Sequence, residues 1–122
     1  MKDKLILAIL QLPIVFAEPE RNLAAAKEAM EAALCKSPRP DILLLPELWL
    51  TGFFLSPIEQ YAGDAVHAKE MMQTFAKMHG IYLVGGSLPI REKGAIYNRA
   101  FVFDRSGEEI AHYDKMHLFS PG

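Results

Sequence analysis

The chain contains a single cysteine, Cys35, and a single tryptophan, Trp49. One thiol excludes an internal disulfide framework and fits a reducing compartment. Excess charge of one sign is also missing: 13 Lys and Arg stand against 15 Asp and Glu, a net charge of −2, with no basic stripe. That excludes the electrostatic footprint of a nucleic-acid binder. No apolar run approaches the roughly 18–20 residues of a membrane span. The opening stretch KLILAILQLPIVFA is interrupted by Gln11 and Pro13, and no A-x-A site follows before charges resume, so it does not read as a signal peptide. No internal repeat, low-complexity tract or linker divides the 122 residues. These absences leave the expectation of one soluble, cytoplasmic α/β domain with neither nucleic acid nor membrane as a partner.

What is present is organised around Asp41 to Phe54. Ile42 to Leu45 form an unbroken apolar run closed by Pro46 and followed by a carboxylate, Glu47. Such a run predicts a central strand buried on both faces, stopping where proline cannot donate to a ladder. Glu47 then falls just past the carboxyl end of a strand, where α/β folds hold ligands. Trp49, Phe53 and Phe54 are expected to wall off a pocket around it and dry the carboxylate.

The flanking segments predict a framework for that strand. Lys4 to Leu12 reads as a first, central strand. Glu18-Pro19-Glu20 opens a helix, because proline suits the first turn and acids suit the positive end of the dipole. Leu23, Ala26, Met30, Ala33 and Leu34 give that helix one apolar stripe, and Ser37-Pro38-Arg39-Pro40 ends it. An irregular loop runs to about Gly63. A second helix follows to His79, with Ala68, Met71, Met72, Phe75 and Met78 inward and Gly80 as its C-terminal cap. Ile81 to Val84 is a short strand leading into Gly85-Gly86-Ser87. Ala95–Asp104 and Glu108–Tyr113 form a hairpin around Asp104-Arg105-Ser106-Gly107. Its first strand puts Ile96, Asn98, Ala100 and Val102 on one face, and Tyr97, Arg99, Phe101 and Phe103 on the other. The two apolar strands bracketing the first helix imply a parallel pair.

Four groups carry candidate chemistry. Glu47 reads either as a solvated loop carboxylate or as a general acid or base whose pKa the aromatics raise. Lys115 reads either as a solvated lysine or as a cation held to stabilise an oxyanion. His112, Asp114 and His117 share an H-x-D-x-x-H spacing, but His117 lies beyond the Lys115 turn, which makes a poor metal frame. Cys35 sits at the carboxyl end of a helix, where the dipole disfavours a thiolate, so it reads as structural rather than nucleophilic.

LLLPELWLTGF and YDKMHLF resemble the glutamate and lysine motifs of the nitrilase superfamily of carbon–nitrogen hydrolases. GGSLPI and the Tyr-Asn hairpin lie between them in the family's order, and the resemblance runs from LAILQLPIVF to Leu118-Phe119. It implies an αββα sandwich, of which this chain is the N-terminal half: a mixed sheet with two helices on one face, residues 1–122 forming a partial domain. It further implies subunits paired through a helical face, a homodimer or other self-association. By resemblance Glu47 is the general base and Lys115 the lysine that stabilises the tetrahedral intermediate, without metal or organic cofactor. The family's nucleophilic cysteine follows the lysine by a few tens of residues. Cys35 lies upstream of both motifs and does not match it, so the expectation is a hydrolase portion that is inactive alone.

The substrate class that the resemblance implies is a small amide or nitrile, with the PELWLTGF and HLF segments closer to ω-amidase-like enzymes than to true nitrilases. Two other classes compete. A metal-dependent phosphoesterase of the endonuclease/exonuclease/phosphatase kind also places a Glu after a buried strand, but makes no use of YDKMHLF. A non-catalytic assembly protein would use exposed sheet edges and an apolar face to bind a partner.

Overall fold

A computed structural model describes residues 3–52 and 58–115 of the chain. In order, the elements are β1 (Leu7–Ile9), α1 (Pro19–Leu34), β2 (Ile42–Leu44), a 3₁₀ turn (Ile58–Tyr61), α2 (Ala62–His79), β3 (Tyr82–Glu92), β4 (Ala95–Phe103) and β5 (Glu109–Asp114). The five strands form one mixed sheet in sequential order. β1, β2 and β3 run parallel, joined through the two helices, whereas β3–β4 and β4–β5 are antiparallel hairpins. This is the α/β architecture expected from the apolar strands alternating with amphipathic helices.

Both helices contribute to a single core against one face of the sheet. Ala26, Met30 and Ala33 of α1 and Ala65, Ala68, Met72, Phe75 and Ala76 of α2 pack with Leu43, Leu83, Phe101 and Phe103. The burial of Phe101 and Phe103 shows which face of β4 looks inward. On the opposite face, the register aligns Ile9, Leu44, Val84, Val102 and Ala111 in one row and Leu7, Ile42 and Tyr82 in another. Leu7, Ile9 and Tyr82 on that face are exposed.

Several expectations need correction. β1 is three residues long and forms an edge of the described sheet rather than its centre. Its start is fixed by the buried carboxylate of Asp41, which accepts from the Ile6 N–H at 2.8 Å. β2 is buried on one face only, because both helices lie on the same side; Leu43 is fully buried while Ile42 and Leu44 are partly exposed. The loop before α2 is shorter than expected, since Ile58–Tyr61 and then Ala62 already turn helically. Met78 points outward, its place on the inward stripe being taken by Ala76. Gly80 does cap α2, with φ +60.

β3 continues for eleven residues instead of ending at Val84. Its register with β4 shifts between Val84 and Ser87, where Gly85 and Gly86 form an irregularity that other residues would resist. Pro89 is tolerated further on because β2 has already ended, leaving β4 as the described partner of that stretch.

Candidate functional site

The irregularity in β3 shapes the loop that carries Glu47. Leu45 N–H still donates to the Val84 carbonyl at 2.9 Å, as a last rung beyond β2. Pro46 then ends the ladder and Glu47 turns out of the sheet. Leu48 takes φ +47, a left-handed conformation that costs a leucine ~1 kcal/mol or more. Three contacts hold it there. Its N–H donates to the buried Ser87 Oγ at 3.0 Å. Its carbonyl accepts from Thr51 N–H at 3.3 Å and Gly52 N–H at 2.8 Å. Trp49 enters the core and donates its indole N–H to the Gly85 carbonyl at 2.9 Å. Asn22, buried in the first turn of α1, donates to Leu50 O and Val15 O at 2.7 Å each. A strained residue next to a carboxylate, pinned by a strand bulge and a helix, is a rigid mount.

Lys115 reaches this mount from the end of β5. Lys115 Nζ donates to Glu47 Oε2 at 2.9 Å across 68 residues of sequence. Asn98 Nδ2, from β4, donates to the same oxygen at 2.7 Å. The Lys115 N–H also donates to the Asn98 carbonyl at 3.0 Å, so β4 holds the lysine's main chain while its side chain reaches the glutamate. One residue earlier, Asp114 accepts from Arg99 Nε at 2.6 Å and Nη2 at 3.0 Å. Arg99 Nη2 also donates to Glu92 at 2.9 Å. Hydrogen bonding to Arg99 holds the Asp114 and Glu92 carboxyls below their usual range, and both partners favour the charged guanidinium.

Glu47 and Lys115, the two residues singled out in the sequence, are therefore brought together. Their side chains remain 38% and 37% exposed, and an ion pair so open contributes at most ~1 kcal/mol to folding. Stability alone does not account for a strained loop built to hold it. The aromatic wall expected around Glu47 is corrected on one count: Trp49 fills the core instead. Phe53 and Phe54 lie outside the described residues. Asn98, Arg99 and Ser87 were missed as site residues. The alternation of β4 sorted Asn98 and Arg99 onto opposite faces but carried no signal of their partners.

The remaining candidates lie apart from this pair. Cys35 caps the carboxyl end of α1, is exposed, and its Sγ lies 3.5 Å from the Glu31 carbonyl. It lines a groove between the helices with Arg39, Met71 and Met78. His112 Nδ1 lies 2.8 Å from Glu109, whose carboxylate also meets Lys69 at 2.7 Å. Partial burial pushes the Glu109 carboxyl up, but these two partners bring it below its usual range. His117 lies outside the described residues. Among the described residues no three His, Cys, Asp or Glu side chains gather to hold a metal ion. Nor is any helix among them long and apolar enough to cross a membrane.

The profile of the carbon–nitrogen hydrolase family matches residues 6–122. The chain belongs to the carbon–nitrogen hydrolase family. Among its relatives in this family, a 2-oxoglutaramate amidase from Bacillus subtilis is 34% identical over 117 residues, covering 95% of this chain and 44% of the relative. A human omega-amidase is 32% identical over 114 residues, covering 93% and 40%. An amidase from Nesterenkonia sp. AN1, solved with butyramide, superposes with a TM-score of 0.79 at 27% identity, covering 96% of this chain and 45% of that one. In another structure of that amidase the acetamide moiety of fluoroacetamide is bound covalently to an active-site cysteine. The fold is thus that of the nitrilase superfamily, and the chain spans less than half the length of these relatives.

Proposed function

We propose that Glu47 and Lys115 are the general base and the oxyanion-stabilising lysine of an amide hydrolase. The observation that carries this reading is the 2.9 Å contact between them, formed across 68 residues on a strained loop. In the reaction a cysteine thiol loses its proton to Glu47 and the sulfur attacks the amide carbon. The Lys115 ammonium stabilises the oxyanion of the tetrahedral intermediate. Glu47 then returns the proton to the departing ammonia, and activates the water that hydrolyses the thioester. A small amide is the substrate class, as the names of the relatives support.

The nucleophile is a thiol other than Cys35, which sits on the helical layer facing the Glu31 carbonyl rather than Glu47. The chain works in the reducing cytoplasm, consistent with its one unpaired thiol. It self-associates, since Leu7, Ile9 and Tyr82 form part of an apolar sheet face left open to water. The test is an ammonia assay on the purified 122-residue chain with glutamine-like and short aliphatic amides. No release is expected. Clear turnover that disappears in Glu47→Gln would overturn the assignment of the nucleophile to another segment.

A further inference from the structure

We infer that Asn98 is a positioning residue that decides which oxygen of Glu47 handles protons, an inference that rests on the amide-hydrolase reading above. Asn98 makes one contact to each member of the pair: its Nδ2 donates to Glu47 Oε2 at 2.7 Å, and its carbonyl accepts the Lys115 N–H at 3.0 Å. An ionised carboxylate accepts only, through two oxygens. Here Oε2 takes both Asn98 and Lys115, and no donor among the described residues reaches Oε1. A lysine alone would not achieve this, because an ammonium on a flexible four-carbon stem is a point charge with freely rotating donors. A planar amide fixed on a β-strand restricts the carboxylate as well as attracting it.

The other end of the same amide supports this role. Asn98 Oδ1 is buried and finds no hydrogen-bond partner among the described residues. Leaving such an acceptor unsatisfied is unfavourable, and stable folds seldom keep one without a compensating use. Turning the amide over would set Oδ1 against the Glu47 carboxylate, so the charge on Glu47 dictates the orientation. Asn98 thereby gives up a hydrogen bond of its own to direct Nδ2 at Oε2. Oε1 is left as the atom that accepts the thiol proton, forming O–H as S–H breaks, and returns it to the leaving nitrogen.

The test needs no turnover. In the ¹³C,¹⁵N-labelled chain, one Asn98 Nδ2 proton is expected downfield, with scalar coupling through the hydrogen bond to the Glu47 carboxyl carbon. Glu47→Leu, which has no acceptor, should remove both signatures, and Asn98→Leu should let the Glu47 side chain average among rotamers while the backbone amide spectrum keeps its dispersion. A wild-type Glu47 that averages as freely as in Asn98→Leu would overturn the inference. If Asn98→Leu does not fold, Glu47→Leu decides alone: an Asn98 amide signal unmoved by that change refutes the clamp. A missing clamp leaves the hydrolase reading standing, whereas a clamp present beside a Glu47 dispensable for turnover refutes the hydrolase reading only.

Discussion

Glu47 depends on what Gly86 leaves out. With φ +62, Gly86 lies where a Cβ would collide with the Pro46 carbonyl and approach the Leu45 carbonyl to 2.9 Å and the Trp49 ring to 2.8 Å. Two of those atoms belong to backbone that cannot yield without moving the Glu47 loop. Gly86→Ala is therefore expected to destabilise the chain by about 2 kcal/mol or more, combining left-handed strain with the clash. Urea denaturation checks this, with Gly94→Ala as the control. Gly94 also has positive φ, but nothing lies within 4 Å of its would-be Cβ, so it should lose less.

Among the elements, the β4–β5 hairpin is held in register by a buried cation. Arg99 bridges Glu92 at the end of β3 and Asp114 at the end of β5, one residue before Lys115. Because both carboxyls titrate lower in the folded chain than unfolded, the unfolded chain binds more protons as the pH falls through that interval. Their contribution is present in full above the unfolded values of about 4 and is lost as the pH drops through the folded ones. Urea midpoints should fall on acidification from about pH 6 to about pH 3. The fall should be shallower in Arg99→Met, and equal slopes in the two proteins would contradict the assignment. The Glu109 carboxyl, lowered by Lys69 and His112, adds a loss of the same sign that Arg99→Met leaves in place.

These elements also show how far the sequence could be read. The helices were legible because burial on one sheet face demands a stripe of fixed period; only Met78 misled, since hydrophobicity does not say which of two neighbouring positions an alanine will occupy. β3 was read short because glycine pairs commonly end strands, and only the approach of the Glu47 loop explains why this pair is a bulge instead. β1 was read as central and β2 as buried on both faces because apolar content alone tells neither where a strand sits in its sheet nor how many layers cover it. Glu47 and Lys115 were legible through their motifs. Asn98 and Ser87 were not, because a polar residue on a strand gains its meaning from a partner on another strand.

For the molecule as a whole, one face of the sheet carries the helices and the other exposes Leu7, Ile9 and Tyr113 beside half-buried Leu44, Val84 and Val102. Water against such a surface favours burial at roughly 25 cal/mol per Å² of apolar area covered. Sedimentation equilibrium is expected to show dimers or larger species, and replacing Leu7 and Ile9 by Lys should shift the distribution toward monomer. A clean monomer in the unaltered chain would contradict the proposed self-association.

The central claim is that Glu47 is a base waiting on a thiol. The most direct measurement joins residues 1–122 to the segment of the Bacillus subtilis relative that follows its match to this chain, and follows ammonia release from 2-oxoglutaramate. Turnover is predicted, with Glu47→Gln lowering kcat/KM by on the order of 100-fold or more at unchanged thermal stability. A folded, active chimera whose kcat/KM is the same with Gln at position 47 would contradict it.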